Sequence, residues 1–157
     1  MTASSIIESL RETWIPAIYR EKVRGQRTRS YEMEIPEREN SAEILFTLLG
    51  IELKVGKRRF ACPDLATARY LLVFARLGCG NVAIPYDITR ISVIADELEM
   101  AWQRLVLTVT DGTKRTTPSA RGRMRSAVIR AIREEVNAAG AGPQMPEFKN
   151  STRQRNY

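Results

Sequence analysis

No histidine occurs anywhere in the 157 residues, and the only cysteines are Cys62 and Cys79, which form no Cys-x-x-Cys pair. Without imidazole or paired thiols, neither a zinc site nor a dithiol redox motif can be assembled. The same gap removes the side chain that titrates nearest neutrality. Any catalysis would have to rest on carboxylates, lysine, tyrosine or a thiolate. The expectation is therefore a protein that is not an enzyme and uses no metal or cofactor. Long apolar runs are also missing, none approaching the roughly 18 residues that cross a bilayer, and Glu8 and Glu12 sit where a targeting peptide would avoid acid. A cytoplasmic location without a membrane partner is expected.

The apolar content of 43% is that of ordinary globular chains and is long enough, over 157 residues, to fill one core but not two. One domain over 1–140 is expected, followed by a flexible polar tail over 141–157. The formal charge is +7, and 20 of the 25 basic residues are arginine. A guanidinium offers a rigid fork of donors to phosphate or carboxylate and tolerates partial burial better than an ammonium. A GC-rich gene would give the same arginine bias, so placement has to carry the argument.

Ser5 with Glu8 reads as a capping box for a helix over 5–22, with Pro16 kinking it or dividing it in two. A basic connector over 20–29 follows, and Tyr31, Met33 and Ile35 alternate with Glu32 and Glu34 as a strand. Asn40 with Glu43 suggests a second capping box, a helix through Ile44, Leu45, Leu48 and Leu49, and an end at Gly50. Ile51, Leu53 and Val55 then alternate with Glu52 and Lys54, and 58–62 answers across a Gly56-Lys57 turn of type II′. That register sets Leu53 against Phe60 and Ile51 against Cys62 inside, and Lys54 against Arg59 outside, two like charges that call for a compensating partner.

Asp64 caps a nearly all-apolar helix over 65–77 that stops at Gly78, and 82–86 reads as a strand. The strand, helix and strand would form a right-handed crossover if both strands share a sheet. An amphipathic helix over 89–108 with an acidic back ends at Asp111-Gly112. Thr117 and Pro118 open a last helix whose apolar line runs from Met124 to Val136. The fold class predicted is α+β: a small mixed sheet of a strand, a β-hairpin and a β-α-β crossover, packed by amphipathic helices, with a long Arg-rich C-terminal helix.

Two basic clusters result. One is the hairpin tip with Lys54, Lys57, Arg58 and Arg59, and the other is the last helix with Arg121, Arg123, Arg125 and Arg130, approached by Lys114 and Arg115 and extended by Arg133. Neutralised phosphates release counterions and the gain adds over contacts, so the four tip residues with Arg121, Arg123, Arg125 and Arg130 are the predicted nucleic-acid-binding set, for RNA or DNA, through the backbone rather than the bases. Few aromatics accompany them: Phe60 and Tyr31 both point inward by alternation. The alternative is a protein-binding module docking on an acidic partner protein. Glu52-x-Lys54 with Pro63-Asp64 contains the parts of a proline-aspartate nuclease motif in reversed order, and Asp64 is more simply a helix cap. Asp96, Glu97 and Glu99 spread over an exposed helix face, and Gly78-Cys79-Gly80-Asn81 reads as a helix-ending turn, with Cys79 expected to be accessible and Cys62 buried.

Overall fold

Thr2 opens the first helix, α1 (Ala3–Leu10): its hydroxyl accepts the Ser5 amide at 3.1 Å, and Ser5 Oγ accepts the Thr2 amide at 3.0 Å. The capping box thus lies three residues ahead of the expected one. The structure, a computed structural model, describes residues 2–142; all but Ala141 and Gly142 of the expected tail fall outside them. The helix expected over 5–22 is divided, but not by Pro16. Arg11 takes φ 45° and ψ −114°, a 3₁₀ turn follows (Arg11–Thr13), and the chain re-enters helix in α2 (Ile15–Ile18) before a π-helical turn (Tyr19–Val23). Pro16 lies in the first turn of α2, where its missing N–H removes no helical bond.

Strand β1 (Thr28–Glu32) begins three residues before the alternating segment, and Met33 prolongs it by donating its amide to Gly80 O at 2.6 Å. The expected helix through Ile44 and Leu49 is instead strand β2 (Ala42–Thr47), paired with β3 (Gly50–Val55), which pairs in turn with β4 (Arg58–Cys62). Neighbours decide this: Ala42 and Ile44 lie opposite Val55 and Leu53, and so extend the buried face of β3. The β3–β4 register is the expected one, Leu53 against Phe60, Ile51 against Cys62 and Lys54 against Arg59. Gly56 has φ 60° while Lys57 is not among the positive-φ residues, as a type II′ turn requires.

Helix α3 (Leu65–Leu77) starts where Asp64 Oδ1 accepts the Thr67 amide at 2.7 Å and ends at Gly78 in the left-handed region. Strand β5 (Asn81–Pro85) follows, but β4 and β5 do not share a sheet. β5 pairs only with β1, and every pairing among the described residues is antiparallel, so the expected crossover and mixed sheet give way to two small antiparallel sheets, β1-β5 and β2-β3-β4. Other groups serve Ala83 of β5: Tyr19 Oη accepts its amide at 2.8 Å, and Tyr70 Oη donates to its carbonyl at 2.6 Å.

Helix α4 (Ile88–Thr113) is capped by Asp87 and runs straight through Asp111-Gly112, because Val109 and Thr113 are buried and hold its last turn in place. Thr117 Oγ1 accepts the Ala120 amide at 3.1 Å and Pro118 begins α5 (Pro118–Ala139), both as expected.

Gly78 and Gly80 bring the end of α3 against the segment 33–38. A Cβ on Gly78 would lie 2.4 Å from Arg38 O, whereas one on Gly56 would meet nothing, although both residues have positive φ. Gly78→Ala is expected to lower unfolding free energy by more than Gly56→Ala, which carries only the backbone penalty of about 1 kcal/mol. Urea titration of both variants measures the difference; equal losses would contradict the close approach.

Candidate nucleic-acid interface

The hairpin tip is less free than its sequence suggests. Arg58 Nη1 is 2.9 Å from Glu34 Oε1, and Arg59 Nη1 is 3.3 Å from Glu52 Oε1. The row Glu43, Lys54, Arg59 crosses the three strands of the sheet, so Lys54 has an acid on one side and Arg59 on the other. The compensation expected from an outside partner is supplied within the sheet. Reading 42–47 as helix hid Glu43 from that position. Arg58 also borders a cavity of about 860 Å³ whose lining includes Glu32, Glu34 and Glu37. That wall repels phosphate. Lys57, at the turn, is exposed and without an ion pair among the described residues.

On α5 the predicted residues divide. Arg125 donates Nε and Nη2 to the two carboxylate oxygens of Glu39 at 2.8 and 2.6 Å, a bidentate pair that fixes the guanidinium. Arg121 is half-buried, with its Nε enclosed and making no hydrogen bond among the described residues. Arg133 donates to Leu77 O at 2.7 Å and closes the end of α3. Arg123 and Arg130 are exposed, and Arg123 Nη1 donates to Ser119 Oγ at 2.8 Å. Those two arginines, with Ser119, Gly122, Ser126 and Ala127, line a depression of about 560 Å³ in which the described residues place no acid. Small side chains along it let a partner's backbone come close to the helix. The signal was present in the sequence as the spacing of Ser119, Gly122, Ser126 and Arg130, which a search for charge alone passes over.

Both clusters are tied to one short segment: Glu39 pairs with Arg125, and Ser41, two residues on, accepts the Gly56 amide at 3.0 Å.

The remaining sequence candidates resolve into structural roles. Asp96 and Glu99 grip Arg69 at 2.5 and 2.8 Å, and Glu97 takes Lys22 at 2.7 Å. Asp64 is the α3 cap and Glu52 the partner of Arg59. Among the described residues no three Cys, Asp or Glu side chains are placed to hold a metal ion, and no helix is long and apolar enough to cross a membrane. Phe60 and Tyr31 are half-buried rather than fully enclosed. Cys79, expected to be accessible, is buried beneath the 33–38 segment, as is Cys62 at the end of β4. No protein-family model, curated protein or solved structure matches the chain.

Burial pushes the Cys79 thiol up to about 12 and raises that of Cys62 as well. Neither should react with a thiol reagent at pH 8 in the folded protein, and both should react once it is unfolded. An unfolded thiol ionises from about pH 9 while the folded one keeps its proton, so the burial opposes thiolate formation and stability falls as pH rises from there toward 12. Timed labelling with and without denaturant checks the first point, and urea midpoints between pH 8 and 10 the second. Rapid labelling of Cys79 in the folded state would show that its cover is not in place.

Proposed function

We propose that the chain is a small basic accessory or regulatory protein, not an enzyme, that binds nucleic acid through backbone phosphates. The observation that carries the proposal is the acid-free face of α5. From Thr113 through Arg133 the sequence has seven basic residues and no acid, and Arg123 and Arg130 stand exposed beside the Ser119–Gly122–Ser126 depression. From Ser119 to Arg130 the helix rises about 17 Å, which spans several successive phosphates of one strand. A phosphate reaching these two arginines displaces no internal carboxylate. One reaching Arg58, Arg59 or Arg125 must replace Glu34, Glu52 or Glu39, so the α5 face leads and the hairpin tip, chiefly Lys57 and Lys54, supports it. Location in the cytoplasm accords with this reading.

The alternative, a module that docks on another protein, has an observation of its own. Leu48 and Leu49 form the β2–β3 turn and are 106% and 97% exposed, with Phe46 open beside them. Turns are normally built from glycine, asparagine or aspartate, and each leucine forgoes the roughly 1.5–3 kcal/mol that burial would give it.

Fluorescence anisotropy with a labelled RNA strand and a DNA duplex separates the two. Arg123→Glu with Arg130→Glu should weaken binding at least tenfold and reduce the salt slope by about two contacts, and Arg58→Glu with Arg59→Glu should weaken it less. Failure of the unmodified protein to bind either probe at about 50 mM salt would discard the nucleic-acid reading and leave the leucine turn as the better guide.

A further inference from the structure

Helix α4 keeps a second apolar stripe that its own fold does not use. Val93, Met100 and Leu107 are 57%, 69% and 63% exposed, and they recur every seven residues, which on a straight helix returns to the same side within about 20°. The core side of α4, with Leu98, Trp102, Leu105 and Val109, is buried. Beside the exposed apolar residues the helix carries charge in a definite order: Arg90 before Val93, Glu97 and Arg104 on either side of Met100, and Asp111 after Leu107. We propose that this face is the contact between two copies of the chain, packed antiparallel about a twofold axis at Met100.

Self-complementarity is what singles out a second copy. A twofold contact presents one surface to itself, so every residue needs a suitable partner on that same surface. Antiparallel packing centred on Met100 lays Val93 along Leu107 of the second copy and Met100 along its own equivalent. It also sets Arg104 beside Glu97 of the second copy and Arg90 near Asp111, each pair occurring twice. A parallel arrangement would oppose Glu97 to Glu97 and Arg104 to Arg104. Arg104 and Asp111 make no ion pair within the described part of the chain, and Glu97, although it takes Lys22, keeps its side chain 36% exposed. A methionine at the axis suits the place, because its unbranched side chain adapts to its own symmetry mate. The stripe is about 21 Å long from Val93 to Leu107. Such a contact belongs at the small end of specific interfaces, so the association should be reversible and in the micromolar range rather than obligate.

Sedimentation equilibrium on the full chain tests this. The unmodified protein should move from monomer toward twice that mass as concentration rises to about 100 μM. Met100→Glu, which places two carboxylates on the axis at an exposed position, should remain monomeric with unchanged circular dichroism and melting temperature. Arg104→Glu should weaken association, and adding Glu97→Arg should restore it. With the native thiols buried, Met100→Cys should form a disulfide-linked dimer under mild oxidation. A protein that stays monomeric at that concentration overturns the proposal. So does a dimer that survives Met100→Glu but is lost in Leu48→Asp with Leu49→Asp, which would move the contact to the β2–β3 turn.

Discussion

The fold turns on how the edge of a single buried strand is satisfied. Val82, Ala83 and Ile84 of β5 are fully enclosed, yet among the described residues β5 has only β1 as a strand neighbour. A buried amide and carbonyl left without partners would each cost about 1–3 kcal/mol. Two tyrosine hydroxyls take them. Tyr19 Oη accepts the Ala83 amide and donates its own O–H to Gly140 O at 2.6 Å, while Tyr70 Oη donates to the Ala83 carbonyl. The rings sit against Phe74, with centroids 5.6 and 5.1 Å away. One cluster thereby joins the N-terminal turn, α3, β5 and the end of α5, segments far apart in sequence. It also explains the absence of a continuous sheet: the edge on which a third strand would dock is taken by side chains. Burial raises the pKa of both phenols, so they keep the protons that these bonds require.

What could be read from the sequence follows a physical rule: elements whose limits are set by their own residues were legible, and those set by neighbours were not. Asp64 and Gly78 mark α3 through a cap and a left-handed residue, Thr117 and Pro118 mark α5, and Gly56 fixes the β3–β4 register. By contrast, 42–49 has apolar residues at spacings that suit a helix. It becomes β2 because β3 offers it an edge and α3 a cover. Asp111-Gly112 is a turn signal, yet burial of Val109 and Thr113 outweighs a single glycine, worth about 1 kcal/mol. Pairing between β1 and β5 depends on chain segments fifty residues apart, and no local pattern encodes it.

The candidate site was legible in outline and misweighted in detail, for a similar reason. Charge counted along a sequence assumes that each guanidinium faces water. Here Arg69, Arg125 and Arg133 are spent on Asp96 and Glu99, on Glu39 and on the Leu77 carbonyl, and Arg24 donates to Ala139 O at 3.0 Å. The arginine excess is in part a device for tying elements together, suited to it because a guanidinium can be half-buried and still bond in a plane. Ion pairs open to solvent add about 0–1 kcal/mol each; those of Arg58 with Glu34 and Arg59 with Glu52 are of this kind, and their effect lies in withdrawing charge from the hairpin. Once they are set aside, Arg123 and Arg130 of α5 remain among the exposed arginines that no carboxylate holds among the described residues.

The face of α5 with those two arginines and the exposed stripe of α4 point in different directions. α5 packs on the side of α4 that carries Trp102, Leu105 and Val109, about half a turn from Met100 at 100° per residue. A twofold contact at Met100 would therefore cover neither copy of Arg123 and Arg130, and would place two basic faces on the outside of one assembly. Weak phosphate contacts gain most from such an arrangement, because after the first face engages a strand the second acts at a raised effective concentration. Two shallow surfaces, each too small to bind tightly alone, would then act together on one strand.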